Sequence, residues 1–264
     1  MNLSTLRVSE AEGVLTITLN RPDRRNALNP LLIGELIAVL AELSERSSGV
    51  VILTGAGTAF CAGLDLDHVQ TLSRQSAQQQ REDSERIARL FRTLYDLPLP
   101  TIAAVNGHAI AGGMGLATIC DFTLAVPHAR FGYTEARIGF IPAIVSSFLI
   151  PQIGEKKARD LLLTARLIAA DEAKRLGLVN EVLDTADLMT GAEALAQQLL
   201  QNSPESLRAT KRLLSIQSKE RLDRELATAV EWNAKARETE DFREGIASFL
   251  AKRAPVWPSR KERQ

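Results

Sequence analysis

An α/β fold is what this 264-residue chain predicts, and three features of its pattern carry that prediction. Val14 to Leu19 reads VLTITL, an apolar and Thr alternation that suits a strand with one buried face. Two short, partly β-branched apolar runs, Val50 to Thr54 and Ile102 to Val105, each lead into a glycine-bearing turn. Between and after them lie stretches with apolar residues at helical spacing, first LLIGELIAVLAEL at 31–43 and later most of the chain beyond Val182. Length alone fits one large domain or two small ones.

Taken in order, the strand at Val14 to Leu19 is broken by NRPDRRNALNP. Pro30 suits the first turn of a helix, where its missing N–H costs nothing, and Asn29 is placed to cap it. Val50 to Thr54 is the next strand, followed by a loop from Gly55 to Gly63, and Asp65 is placed to cap whatever comes after. Residues 70–95 are rich in Gln, Arg and Ser before turning helical at SERIARLFRTLYDL. The prolines of LPLPT end that helix. Phe122 to Val126 is a further short strand. Residues 143–163 read as a helix, a break at Pro151 to Gly154, and a second helix opened by Glu155. Ser203 with Pro204 starts a helix, and the charged, helical composition sets residues 203–264 apart from a core of 1–202.

The centre of the chain is Thr101 to Asp121, TIAAVNGHAIAGGMGLATICD. A buried strand, the Asn106-Gly107 turn, and then Gly112, Gly113 and Gly115 lead into a small-residue helix. Glycines at such a place let the backbone approach a ligand, and the first N–H groups of the helix have no partner within it. They point outward at the positive end of the helix dipole, ready for a phosphate or for an oxyanion that develops during reaction.

Together with GVVILTGAGTAFCAGLDL at 49–66, FGYTEARIGFIP at 131–142 and ARDLLLTARLIAADEAKRLGLVNEV at 158–182, this stretch resembles the crotonase superfamily, whose type members are enoyl-CoA hydratases and isomerases. The resemblance covers nearly the whole chain. It implies a spiral of strand, strand, helix units over 1–202 that holds an acyl-CoA site, with the helices of 203–264 building trimers that often pair into hexamers. It also implies an oxyanion hole of one backbone N–H from each glycine-bearing turn, at the motif positions of Ala62 and Gly112. The substrate contacts it implies are Ala62, Gly63, Leu64, Asp65, Gly112 and Arg24, with coenzyme A as part of the substrate and no separate cofactor or metal.

The family's hydratases carry one glutamate three residues beyond the second oxyanion glycine, which here is Gly115, and a second in the segment after the next strand, which here is Glu135 in FGYTEAR. Residue i+3 shares the helix face of residue i, so a side chain at 115 would face the substrate carbonyl. Its absence leaves Glu135 as the acid/base group, with aromatic neighbours to desolvate it and raise its pKa. One carboxylate suffices to lift a proton from a 3-enoyl thioester and return it elsewhere on the same face. The first expectation is therefore an enoyl-CoA isomerase; the alternatives are a hydratase with a single glutamate and a catalytically silent acyl-CoA binding protein. The family's usual glycine-rich run after the Ile-Pro step is replaced by AIVSSF, a change in the shape of the pocket.

The totals exclude several classes. Lys plus Arg and Asp plus Glu are both 32, a net charge of +0, which argues against a chain-wide nucleic-acid footprint. A local cluster, Arg21, Arg24 and Arg25, is placed to meet the phosphates of an anionic ligand. Cys61 and Cys120 sit in apolar surroundings without metal-ligand spacing and read as reduced core thiols. No leader-like segment and no membrane-length apolar run is present, so a cytoplasmic protein is expected. The order G-G-x-G, with no acidic residue ending a strand about 20 positions on, does not make a dinucleotide fingerprint. His68, His108 and His128 are scattered, and Ser146-Ser147 lacks a nucleophile-elbow context.

Overall fold

The computed structural model describes residues 3–72 and 75–263; Ser73 and Arg74, inside the Gln- and Arg-rich segment of the sequence, lie outside it. The chain opens with an antiparallel hairpin of β1 (Leu6–Ala11) and β2 (Val14–Leu19), turned by Glu12 and Gly13. β1 has no apolar alternation to announce it, because only Leu6 is buried in this edge strand. Helix α1 (Pro30–Ser44) begins as its sequence dictates, with Asn29 Oδ1 accepting from Leu32 N–H at 2.9 Å and Pro30 in the first turn.

From there a strand of one sheet is followed by a strand of another, and then by a helix. β3 (Val50–Gly55) leads to β4 (Ala59–Cys61) and the helices α2 (Leu66–Leu72) and α3 (Ala77–Tyr95). β5 (Thr101–Val105) leads to β6 (His108–Ile110) and α4 (Gly112–Ile119). β7 (Phe122–Ala125) leads to β8 (Arg130–Gly132) and a 3-10 turn over Glu135–Ile138. The helices α5 (Ala143–Ile153) and α6 (Glu155–Thr164), strand β9 (Ile168–Ala169), helix α7 (Ala170–Leu176), strand β10 (Glu181–Val182) and helix α8 (Leu188–Leu200) complete this part. The first sheet has the order β1-β2-β3-β5-β7-β10 and the second β4-β6-β8-β9. Both are parallel except at the β1/β2 and β8/β9 pairs. This is the crotonase-type spiral. Every residue of β3 and β5 is buried, as strands covered on both faces require.

Two boundaries differ from the sequence expectation. α3 starts at Ala77, well before Ser84, because Ser76 and Gln79 form a reciprocal capping box that lets a polar segment enter the helix. Pro151 does not break its helix. It removes the N–H that would have met the carbonyl of Ser147, and Arg221 Nη1 donates to that carbonyl at 3.1 Å instead. The break falls at Gly154 alone, with φ 78°.

Arg221 belongs to α9 (Pro204–Ala236), whose start is fixed by Ser203, its side chain accepting from Ser206 N–H. α9 packs on α3 and α5, and its Leu222, Leu226, Ala229 and Val230 join the main core. α10 (Glu240–Leu250) turns back onto the Glu135–Ile138 turn and forms a small second core of Val69, Phe140, Phe242 and Ile246. The approach is backbone to backbone. A Cβ on Gly139 would strike the carbonyl of Asp241, and one on Gly245 the carbonyl of Ile138. No helix among the described residues is long and apolar enough to cross a membrane.

Candidate active site

A cavity of about 680 Å³ opens where the second sheet, α4, the Glu135–Ile138 turn and the helices α3, α5 and α9 meet. Its walls are mainly apolar, including Leu28, Leu64, Phe91, Phe140 and Val145. Arg24, Arg25, Arg130 and His108 line it as well.

The first glycine-bearing turn is held from below by Asn26. This fully buried residue accepts from Arg21 N–H at 2.9 Å and donates to the carbonyls of Ala56 and Ala59 at 2.9 and 2.8 Å. Arg25 and Asn26 both adopt positive φ, 50° and 55°, which turns the Arg25 carbonyl toward β4. That carbonyl accepts the Ala62 N–H at 3.0 Å. Burial pushes the Cys61 thiol up to about 12, and the neighbouring Gly63 N–H offsets part of that. A parallel bridge then joins Leu28 to Leu64, with Leu28 N–H donating to Gly63 O and Asp65 N–H to Leu28 O. In such a bridge the N–H of Leu64 itself points to the opposite side, and it has no hydrogen-bond partner among the described residues. The amide expected from motif position, Ala62, is thus spent inside the turn, and Leu64 carries one that is free.

The second turn delivers Gly112. Its N–H is at the first position of α4, where no intrahelical acceptor exists. Ala111 before it holds φ 52° and ψ −122°, a strained conformation for a residue with a Cβ, anchored by its own N–H on Gly132 O at 2.7 Å. The two turns touch. Gly63 has φ 86°, and a Cβ built on it would lie 2.9 Å from Ala111 Cβ and 3.5 Å from Gly112 N. Leu64 and Gly112 therefore present neighbouring amides to one wall of the cavity.

Glu135 lines the same cavity and is 8% exposed, with no partner for Oε2 among the described residues. Burial pushes its carboxyl up to about 7, only weakly offset by a hydrogen bond from its own backbone. At Gly115 the structure gives a reason for the missing glutamate. A Cβ there would lie 2.5 Å from Phe91 Cε1 and 2.7 Å from Val145 Cγ1, so apolar side chains occupy the place of a second carboxylate. Val145 comes from the AIVSSF run and Phe91 from α3.

The other candidates sort as follows. Asp65 is buried, takes an ion pair from Arg21 at 2.8 Å and accepts from Asp67 N–H at 3.1 Å, which makes it the cap of α2. Arg21 is accordingly an internal strut, whereas Arg24 stands at the mouth, 60% exposed and paired with Asp67 at 3.0 Å. His68 is tied to Asp83, His128 is exposed, and His108 lines the cavity at its exposed rim. No group of three or more His, Cys, Asp or Glu able to hold a metal occurs among the described residues.

Comparison with known proteins places the chain in a family. Residues 9–260 match the family described as Enoyl-CoA hydratase/isomerase. A Thermus thermophilus protein named "Putative enoyl-CoA hydratase" is 45% identical, with 93% of this chain and 98% of that protein covered. The "Short-chain-enoyl-CoA hydratase" of Clostridium acetobutylicum is 33% identical, with 96% and 97% covered. The crystal structure of an enoyl-CoA hydratase from Mycobacterium avium superposes with a TM-score of 0.85 at 33% identity, covering 97% of this chain and 99% of the other.

Proposed function

Because the chain belongs to the enoyl-CoA hydratase/isomerase family, we propose that it is an enzyme that shifts the double bond of an enoyl-CoA by a proton shuttle through Glu135. The observation that carries this reading is the buried carboxyl of Glu135, its Oε2 without a partner among the described residues, in a cavity where the other buried carboxylate, Asp65, is held by Arg21 and where Phe91 and Val145 fill the place beside Gly115. The thioester carbonyl oxygen takes the N–H groups of Leu64 and Gly112. Glu135, ionised, removes an α-proton from a 3-enoyl thioester; the electron pair delocalises onto the carbonyl oxygen, where the two fixed amides stabilise the developing charge. The same carboxyl, now protonated, delivers its proton to the γ-carbon, and the double bond comes to rest between the α- and β-carbons. No water enters and no separate cofactor is consumed.

Hydration is the second reading, favoured by the hydratase names of the relatives. It requires a water to be held and activated while the α-carbon is protonated, and here one carboxyl would have to serve both needs. A panel of 2-enoyl and 3-enoyl thioesters with product identification decides. Isomerisation of the 3-enoyl series faster than hydration of the 2-enoyl series supports the proposal; the reverse order makes the protein a single-glutamate hydratase, and turnover of neither leaves an acyl-CoA binding protein.

We further propose that the assembly is a trimer or hexamer. Leu213, Leu214 and Ile216 of α9 are more than half exposed in the single chain, an apolar surface of the kind that marks an interface.

A further inference from the structure

One wall of the cavity carries a polar group that the chemistry above leaves unused. Asn233 of α9 lines the cavity and is 4% exposed, among the apolar Val69, Ile87 and Phe140. Its orientation is fixed. Oδ1 accepts from Arg237 Nη2 at 3.0 Å, and because a guanidinium only donates, the atom facing it must be the amide oxygen. Ser84 Oγ lies 2.9 Å from the same oxygen. Behind them Arg237, 1% exposed, is paired with Asp83 at 2.8 Å, and Asp83 is met on its other oxygen by His68 at 2.8 Å. Burial alone would raise the pKa of Asp83, but His68 and Arg237 outweigh it and hold the carboxyl below its ordinary range. The amide is thus locked by a charged network reaching into α2 and α3. Its Nδ2 donates to nothing among the described residues.

An amide donor that an alkyl tail covers without replacing its water costs about 1–3 kcal/mol. A leucine, with the same number and branching of side-chain heavy atoms, would serve such a tail better. The guanidinium on the amide oxygen polarises the group and makes Nδ2 a better donor.

We propose that Asn233 determines specificity by donating Nδ2–H to an oxygen on the acyl chain, away from the thioester, so that the preferred substrates are enoyl-CoA thioesters whose chain bears a hydroxyl, carbonyl or carboxylate oxygen. This rests on the acyl-CoA reading of the cavity. The test is kept separate from turnover by using saturated acyl-CoA thioesters, which bind without reacting.

Chains of about four to ten carbons, plain or with a terminal hydroxyl, a penultimate ketone or a terminal carboxylate, are titrated calorimetrically against the intact protein, with free coenzyme A as reference. The expected result is that at one length an oxygenated chain binds about 10-fold tighter than its alkyl counterpart. Hydroxyl, ketone and carboxylate arms then tell a neutral acceptor from an anionic one. Asn233→Asp keeps an acceptor for Arg237 and Ser84 but removes the donor, and the preference should vanish while affinity for coenzyme A itself is unchanged. Asn233→Leu should favour the alkyl chain; should it fail to fold, Asn233→Asp still decides. Equal affinities at every length, or a preference retained in Asn233→Asp, overturns the assignment. Thioesters that bind no better than coenzyme A overturn the substrate class beneath it.

Discussion

At Glu135 the rate and the stability of the protein pull against each other. A base must be ionised, and burial holds this carboxyl up to about 7, so turnover should rise as pH passes through 7 and level off above it. Glu135→Gln removes the base at nearly constant volume. It should cost about 10²–10⁴ in turnover and in α-proton exchange in deuterated water, with little change in ligand affinity. Folding has the opposite sign. The carboxyl titrates higher in the folded chain than its ordinary 4.5, so its neutral form stabilises fully below that value, and the benefit is lost as pH rises through about 7. Glu135→Gln should therefore match the parent in denaturant melts near pH 4 and exceed it by roughly 3 kcal/mol above pH 8. The residue is legible in the sequence, since FGYTEAR has a recognisable pattern. The amides proposed to hold the oxyanion are only half so. Motif position finds the turn, but that the Ala62 N–H is taken and the Leu64 N–H is not depends on the Arg25 carbonyl and the Leu28 bridge, and these are brought in by the folded backbone.

Among the elements, the turn beneath β4 depends on Asn26. Asn26→Ala strips two carbonyls, that of Ala59 buried, and one N–H of partners, and a loss of about 3 kcal/mol in a denaturant melt is expected, together with weaker ligand binding because the Leu64 amide loses its frame. α4 sets a different limit. Gly115→Glu has to displace Phe91 and Val145, so it should lower stability by at least about 3 kcal/mol and yield no hydratase. A variant that stays as stable as the parent and adds water to 2-enoyl thioesters would refute that packing account. Long elements such as α1 and α9 announce themselves through periodicity and caps. β4, β6 and β8 do not, because three residues are too few to show a period. The second sheet they form, which carries both glycine-bearing turns, is accordingly visible in the sequence only through the family resemblance.

On the scale of the whole molecule, the spiral stacks parallel strands so that both turns arrive at one wall, and α9 closes the opposite side through Asn233 and the core residues it shares with α3 and α5. The exposed Leu213, Leu214 and Ile216 should be buried between copies. Sedimentation at micromolar concentration should show a trimer or hexamer, and Leu214→Glu should shift it toward smaller species. A parent that sediments as a monomer would contradict the assembly.

The small core under α10 has a thermal consequence. Val69, Phe140, Phe242 and Ile246 form a patch separate from the main core, and a patch of that size has little of its own to resist local opening. When α10 lifts from Gly139, the turn bearing Glu135 loses its seat and the carboxyl meets water, where it becomes an ordinary weak base. Warming should therefore silence the enzyme while its sheets are still intact. Activity should fade several degrees below the temperature at which the circular dichroism of the fold collapses, and cooling should restore it.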